Sequence, residues 1–253
     1  MTEILGFNNL TKALSFNLYD FAVALNDEER ASYIRYIDER YSAKQIEANL
    51  VRIAEIIDAE VLSVSSKDFD PYGASAVLLM SDMKGEQATK QSNLMSQSTV
   101  SIHLDKSHIC AHTYPDSLDP SGICSFRVDI DIATCGSISP LYALDFMFKS
   151  FESDVVCVDY VVRGFARNTK GEKIYSDQSF DSITNFVSPI IMREYESIDK
   201  NYPEHHTFQT MFCRKELDHS SYFRSPRTVD PAVAKEKMAL IRKEMDSIAN
   251  LIK

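Results

Sequence analysis

Strand and helix signals follow one another along this chain without the regular strand–helix–strand alternation that a parallel sheet needs, and that constrains its fold more than any other feature. Residues 12–25 alternate enough to predict an early strand. Asn26 with Glu29 resembles a capping box, which predicts a helix over about 28–41. Ser42 with Gln45 repeats the signal, and Ile46, Leu50, Ile53 and Ile57 recur at helical spacing, so the second helix has one buried stripe. Strands are expected over 60–66 and 75–81, with Asp70-Pro71-Tyr72-Gly73 turning the chain between them. Residues 82–98 read as a polar loop, followed by strands near 99–104, 108–113 and 123–132. Ser139-Pro140 reads as a helix start, Val155 to Phe165 as a strand, and Asp230-Pro231 as the opening of a last helix with Met238, Ile241, Met245, Ile248 and Ile252 on one face. Residues 167–229 carry no clear period. The expected fold is α+β: an antiparallel-rich sheet packed by helices on one face, a two-layer sandwich, in a single domain over 1–253.

Composition narrows the function. Apolar residues make up 44 % and charged residues 25 %, the balance of a globular fold. No apolar run approaches the roughly 20 residues of a membrane helix, and the start Met1-Thr2-Glu3-Ile4-Leu5 lacks a signal pattern, so no membrane partner is expected. The cysteines at 110, 124, 135, 157 and 213 form an odd set without a close pair, which points to reduced thiols and a cytoplasmic location. A net charge of −10 argues weakly against nucleic-acid binding and weakly for cationic ligands or a divalent metal; solubility explains it at least as well. His205-His206 reads as solvated, and no metal-ligand cluster stands out.

The densest chemistry lies in Leu104-Asp105-Lys106-Ser107-His108-Ile109-Cys110-Ala111-His112-Thr113-Tyr114-Pro115-Asp116. A serine hydroxyl can attack the preceding carbonyl when that carbonyl is held close and polarised. The product is an ester between Lys106 and Ser107, and loss of the Ser107 α-proton then leaves dehydroalanine, which hydrates and loses ammonia to give a pyruvoyl group. His112 is the natural base, yet an offset of five in an extended strand puts it on the face opposite Ser107, so a bend or bulge is required. On spacing alone, the preferred reading is that Ser107 is an ordinary strand or turn serine and His112 a hydrogen-bonded core histidine.

This segment resembles the processing site of the bacterial S-adenosylmethionine decarboxylase family, longer type. Gly6-Phe7-Asn8-Asn9-Leu10-Thr11-Lys12 with Leu14-Ser15-Phe16 is similar to the family's opening. Pro71-Tyr72-Gly73-Ala74-Ser75 resembles its PxGxS turn, and Thr134-Cys135-Gly136 followed by Ser139-Pro140 its cysteine loop. Glu152-Ser153-Asp154, Asp159-Tyr160 and Val162-Arg163-Gly164-Phe165 are similar to its later strand, and all these motifs come in family order.

The resemblance implies a pyruvoyl-dependent lyase that decarboxylates S-adenosylmethionine to the aminopropyl donor for spermidine biosynthesis. By it, Lys106–Ser107 is the site of autocatalytic cleavage of the zymogen, giving a mature β chain of 1–106 and a mature α chain of 107–253. Ser107 becomes the pyruvoyl group that forms a Schiff base with substrate, His112 is the processing base, Cys135 the proton donor, and Ser75 assists processing and positioning. Phe69 packs on substrate, with Tyr72 a second candidate ring against purine and sulfonium. Asp116 stands where the family usually has glutamate binding the ribose hydroxyls, and is shorter by one methylene. Other implied properties are magnesium dependence and a homo-oligomer of cleaved αβ units, with S-adenosylmethionine as the small-molecule partner. Two further readings are a pyruvoyl-dependent arginine or ornithine decarboxylase, and an inactive regulatory partner of an active homologue; intact Lys106, Ser107, His112, Cys135 and Ser75 argue against the second.

Overall fold

The computed structural model describes residues 4–81, 107–135, 138–176, 178–224 and 229–250. The strands are β1 (Ile4–Asn8), β2 (Thr11–Val23), β3 (Glu60–Asp68), β4 (Ala74–Ser81), β5 (Ser107–Asp116), β6 (Ile123–Cys135), β7 (Val155–Arg163), β8 (Ala166–Asn168), β9 (Lys173–Ile174), β10 (Tyr195–Asp199) and β11 (Thr207–Arg214). The main helices are α1 (Asp27–Arg40), α2 (Ala43–Ile56), α3 (Leu144–Ser150) and α4 (Pro231–Asn250). Eight strands form one sheet in the order β10-β11-β7-β2-β6-β5-β4-β3, and every pairing in it is antiparallel. A small second sheet joins β1, β8 and β9. Of these strands, β9, β10, β11 and nearly all of β8 fall in the stretch over 167–229 whose sequence carries no clear period.

Alternation on the strands sets the layers. Leu14, Phe16 and Leu18 of β2, Ile130 and Ile132 of β6 and Val156 and Val158 of β7 point into the main core. Against them lie Tyr33 and Ile37 of α1, Ile46, Leu50 and Ile53 of α2, and Leu144, Met147 and Phe148 of α3. Phe148 meets Phe16 and Phe212 edge-to-face, with centroids 5.3 and 5.1 Å apart. Burying each such side chain contributes roughly 1.5–3 kcal/mol. The α+β, antiparallel reading therefore holds, with α1, α2 and α3 on one face. The last helix lies on the other face: Met238, Ile241 and Met245 of α4 pack on Phe21, Val23, Ile123, Val155, Cys157 and Met211. That covers one end of the second face and, among the described residues, leaves the β3–β6 end of it open.

The capping box after β2 is present. Glu29 N donates to Asn26 Oδ1 at 2.9 Å, and Glu29 Oε2 accepts from Leu25 N at 2.7 Å. At α2 the expected Ser42 cap is replaced: Ala43 N donates to Asp68 Oδ1 at 2.6 Å, tying the helix start to the end of β3. Ser139 likewise makes no capping bond, and Pro140–Ala143 is a 3₁₀ turn leading into α3. The expected loop over 82–98 and strand near 99–104 lie outside the described residues, as does Ile252. No described helix is long and apolar enough to cross a membrane.

At one end of β2 a cavity of about 210 Å³ is lined by Asp20, Asp154, Arg214, Tyr222 and Arg224 among others. Asp154 accepts from Phe21 N at 3.0 Å and from the Tyr222 hydroxyl, with Arg214 Nε 3.5 Å away; burial raises its carboxyl and these partners oppose the rise, so it is the better bonded of the pair. Burial, then the Asp154 and Glu152 charges, push the Asp20 carboxyl well above the usual carboxylate range. A folded-state value raised in this way favours the fold at low pH, and the contribution is lost as pH rises through that value. Asp20→Asn should therefore raise the thermal midpoint near neutral pH, by a margin that shrinks as pH is lowered toward the ordinary carboxylate range. Thermal melts across a pH series read this directly, and an unchanged margin contradicts it.

Candidate active site

Ser107 opens β5 and is fully buried. Its Oγ accepts from Cys135 N at 3.2 Å, so the backbone of the last β6 residue holds the hydroxyl. Thr134, also fully buried, donates from Oγ1 to the Ile138 carbonyl at 3.1 Å. Lys12 of β2 pairs with Thr134 across the ladder and donates from Nζ to the same carbonyl at 3.0 Å. Cys135 itself is half-buried. Lys106, on the other side of the expected scissile bond, lies outside the described residues.

A second group forms on the open face. Ser75 of β4 and His112 of β5 are direct cross-strand partners. His112 pairs on its other side with Asp129 of β6, which Arg127 grips with Nε at 2.8 Å from Oδ1 and a second contact to Oδ2. Arg127 also stacks 5.0 Å from the Tyr114 ring, which lies 6.5 Å from the His112 ring. Asp116 follows on the same face, exposed, its Oδ1 accepting from Leu118 N at 2.9 Å. Phe69 is 44 % exposed, with Lys67 Nζ 5.9 Å from its ring centroid, so it fills no core position; Tyr72 is half-buried. The turn that delivers Ser75 is tightly made: Phe69 N donates to Gly73 O at 2.8 Å and Ala74 N to Thr113 Oγ1 at 2.7 Å.

The bend expected between Ser107 and His112 is absent. β5 keeps one register with β4 from Ser107 to His112 and one with β6 from His108 to Asp116. Ser107 points toward the helix layer and His112 toward the open face, and an unbroken strand places their Cα atoms roughly 16 Å apart. Within one chain, Ser107 with Cys135 and Ser75 with His112, Phe69 and Asp116 are two separate groups. His112 is exposed, which removes the core-histidine reading.

Of the remaining thiols, Cys124 and Cys157 are buried and Cys110 and Cys213 half-buried. Burial pushes the Cys124 thiol up to about 11 and Cys157 to about 12, so both stay protonated in the core. Cys110, beside Asp131 and partly desolvated, is raised as well. Among the described residues no three His, Cys, Asp or Glu side chains are placed to hold a metal ion, so the implied magnesium has no ligand set there. His205 is exposed and His206 half-buried around a surface 3₁₀ turn.

The sequence profile of S-adenosylmethionine decarboxylase matches residues 38–164, which span β3 to β7 and both groups. A protein of Stenotrophomonas maltophilia (strain R551-3) named S-adenosylmethionine decarboxylase proenzyme is 45 % identical over 96 % of this chain and 93 % of its own length. The chain belongs to the S-adenosylmethionine decarboxylase family. A proenzyme of the same name from Xanthomonas campestris pv. campestris (strain B100) is 44 % identical over the same shares. The crystal structure of the adenosylmethionine decarboxylase from Aquifex aeolicus VF5 aligns with 69 % of this chain and all of its own, at 18 % identity and a TM-score of 0.31.

Sequence reasoning on this decarboxylase-family chain missed Lys12, Thr134, Thr113 and the Arg127–Asp129 pair. Lys12 alone left a signal: it interrupts the inward apolar positions Leu10, Leu14, Phe16 and Leu18. Gly73 adopts φ +95°, and an added Cβ would stand 3.0 Å from the Thr113 carbonyl oxygen. Gly73→Ala should cost about 1–2 kcal/mol of stability and displace Ser75 from His112. Denaturant unfolding measures the loss; a stability equal to wild type contradicts the account of this turn.

Proposed function

We propose that this chain carries out the reaction of its family, decarboxylation of S-adenosylmethionine, with a pyruvoyl group made from its own Ser107, and that each working site is built from two copies of the chain. The observation that carries the reading is the bond from Cys135 N to Ser107 Oγ. It holds the one hydroxyl that adjoins Lys106 beside the one cysteine that the family motif marks.

In the precursor, Ser107 Oγ adds to the Lys106 carbonyl carbon, the peptide C–N bond breaks, and the Ser107 nitrogen takes the proton. Removal of the Ser107 α-proton expels the Lys106 carboxylate as a new chain end. Dehydroalanine remains, which gains water and loses ammonia. The products are chains 1–106 and 107–253. The ketone so formed supplies an electron sink for the electrons released with CO₂. Cys135, which lies on the rung next to Thr134, returns the proton to the substrate α-carbon; an ordinary thiol is mostly protonated at neutral pH.

His112 is the base of the processing step and Ser75 its neighbour on the same face. Their distance from Ser107 in one chain supports their acting on a second copy. The open face that carries them holds Ser15, Asn17, Asp129, Asp131 and Asp159 in addition. Phe69, exposed on that side, and Asp116 would then serve the partner's site, the ring against the purine or sulfonium and the carboxylate toward the ribose hydroxyls.

Intact mass spectrometry of the purified protein should resolve two chains, 1–106 and a 107–253 chain blocked at its N-terminus by pyruvoyl. Ser107→Ala should stay full length and release no CO₂. Cys135→Ala should still process and lose about 10²-fold or more in turnover. Carboxyl-labelled S-adenosylmethionine should release CO₂, and arginine and ornithine should not. A Ser107→Ala protein with full turnover, or release from arginine or ornithine alone, overturns the reading.

A further inference from the structure

Lys12 is fully buried, on the strand face that carries the buried apolar side chains Leu14, Phe16 and Leu18. Taking a lysine out of water is costly unless its amino group is well bonded, so the position asks for a reason. Satisfying the Ile138 carbonyl is not sufficient, because Thr134 Oγ1 already donates to that oxygen at 3.1 Å. The amino group adds a second donor to one acceptor, at 3.0 Å. That acceptor lies three residues beyond Cys135, and Thr134, the other donor, immediately precedes Cys135. Cys135 N is in turn the donor that holds Ser107 Oγ.

We infer that Lys12 is a positioning residue for self-cleavage: by clamping the Ile138 carbonyl together with Thr134 it fixes the chain where it leaves β6, and so aims Cys135 N–H at Ser107 Oγ. The inference rests on the decarboxylase reading above and adds to it a residue acting on the first chemical step. Lys12 stands two strands from Ser107, through Thr134, and works through the backbone of β6 rather than on the reacting atoms. Displacing an attacking atom by an ångström or so costs orders of magnitude in rate, so the clamp matters out of proportion to the strength of one hydrogen bond.

The test compares freshly made precursors of wild type, Lys12→Met and Thr134→Val for the rate of cleavage, at a temperature well below each thermal midpoint. Lys12→Met keeps the length and bulk of the side chain and removes the donor. It should cleave at least about tenfold more slowly. Thr134→Val, which keeps shape and leaves Lys12 in place, should cleave about fivefold more slowly. Hydroxylamine, which cuts esters and not peptide bonds, should not speed the Lys12→Met chain, because the stall comes before the ester forms. A loss of stability alone would move the midpoint and leave these rates and the hydroxylamine response unchanged.

Lys12→Met cleaving at the wild-type rate, or being cut promptly by hydroxylamine, overturns the inference. If Lys12→Met does not fold, Thr134→Val decides, and a rate indistinguishable from wild type overturns it. A wild-type precursor that never cleaves would instead sink the decarboxylase reading itself.

Discussion

β5 is hydrogen-bonded along both edges, to β4 from Ser107 to His112 and to β6 from His108 to Asp116, and neither ladder slips. Everything proposed about the site depends on that straight double pairing. A strand held this way cannot fold one of its residues back onto another five positions away, and its pleat sends odd and even side chains to opposite faces. Ser107 is thereby committed to the helix side and the last rung of β6. His112 is committed to the open face with Ser75. The sheet separates the group to be transformed from the group that would take its proton, and a second copy is the simplest source of the missing half.

The same alternation explains why the layers could be read from sequence and some details could not. Strand β2, the capping box at Asn26 and the stripe Ile46, Leu50, Ile53 obey local rules, and each element formed within a few residues of its expected bounds. Candidate residues for the site could be named by motif, because short side chains such as Ser75, Ser107 and Cys135 sit in turns and strand ends with distinctive neighbours. Their mutual distances were not legible. The need for a bend came from assuming that one chain holds the whole site, and no local signal in Ile109-Cys110-Ala111 supported it. Ser42 and Ser139 looked like caps, yet Asp68 and a 3₁₀ turn took those roles through contacts distant in sequence or set by packing. The side that α4 covers was equally hidden, since a stripe of methionine and isoleucine fits either face of a sheet.

Two kinds of buried polar group mark where this fold departs from a plain apolar core. At one end of β2, Asp20 and Asp154 share a cavity with Arg214 and Tyr222, and only one of the two carboxyls is well bonded. At the other end, Lys12 and Thr134 meet at a single carbonyl beside the expected cleavage point. Polar groups placed at such cost on a strand that is otherwise the spine of the core point to constraints beyond stability.

The central claim is that His112 of one copy serves Ser107 of another, and subunit complementation tests it most directly. Chains carrying Ser107→Ala and chains carrying His112→Ala, distinguishable by mass, are made separately and then co-expressed. Each alone should remain uncut. Together, the His112→Ala chain alone should be cleaved between Lys106 and Ser107, because its serine is served by the histidine of the Ser107→Ala chain. A His112→Ala chain that stays intact in the mixed assembly, or one that is cut when expressed by itself, would contradict the account.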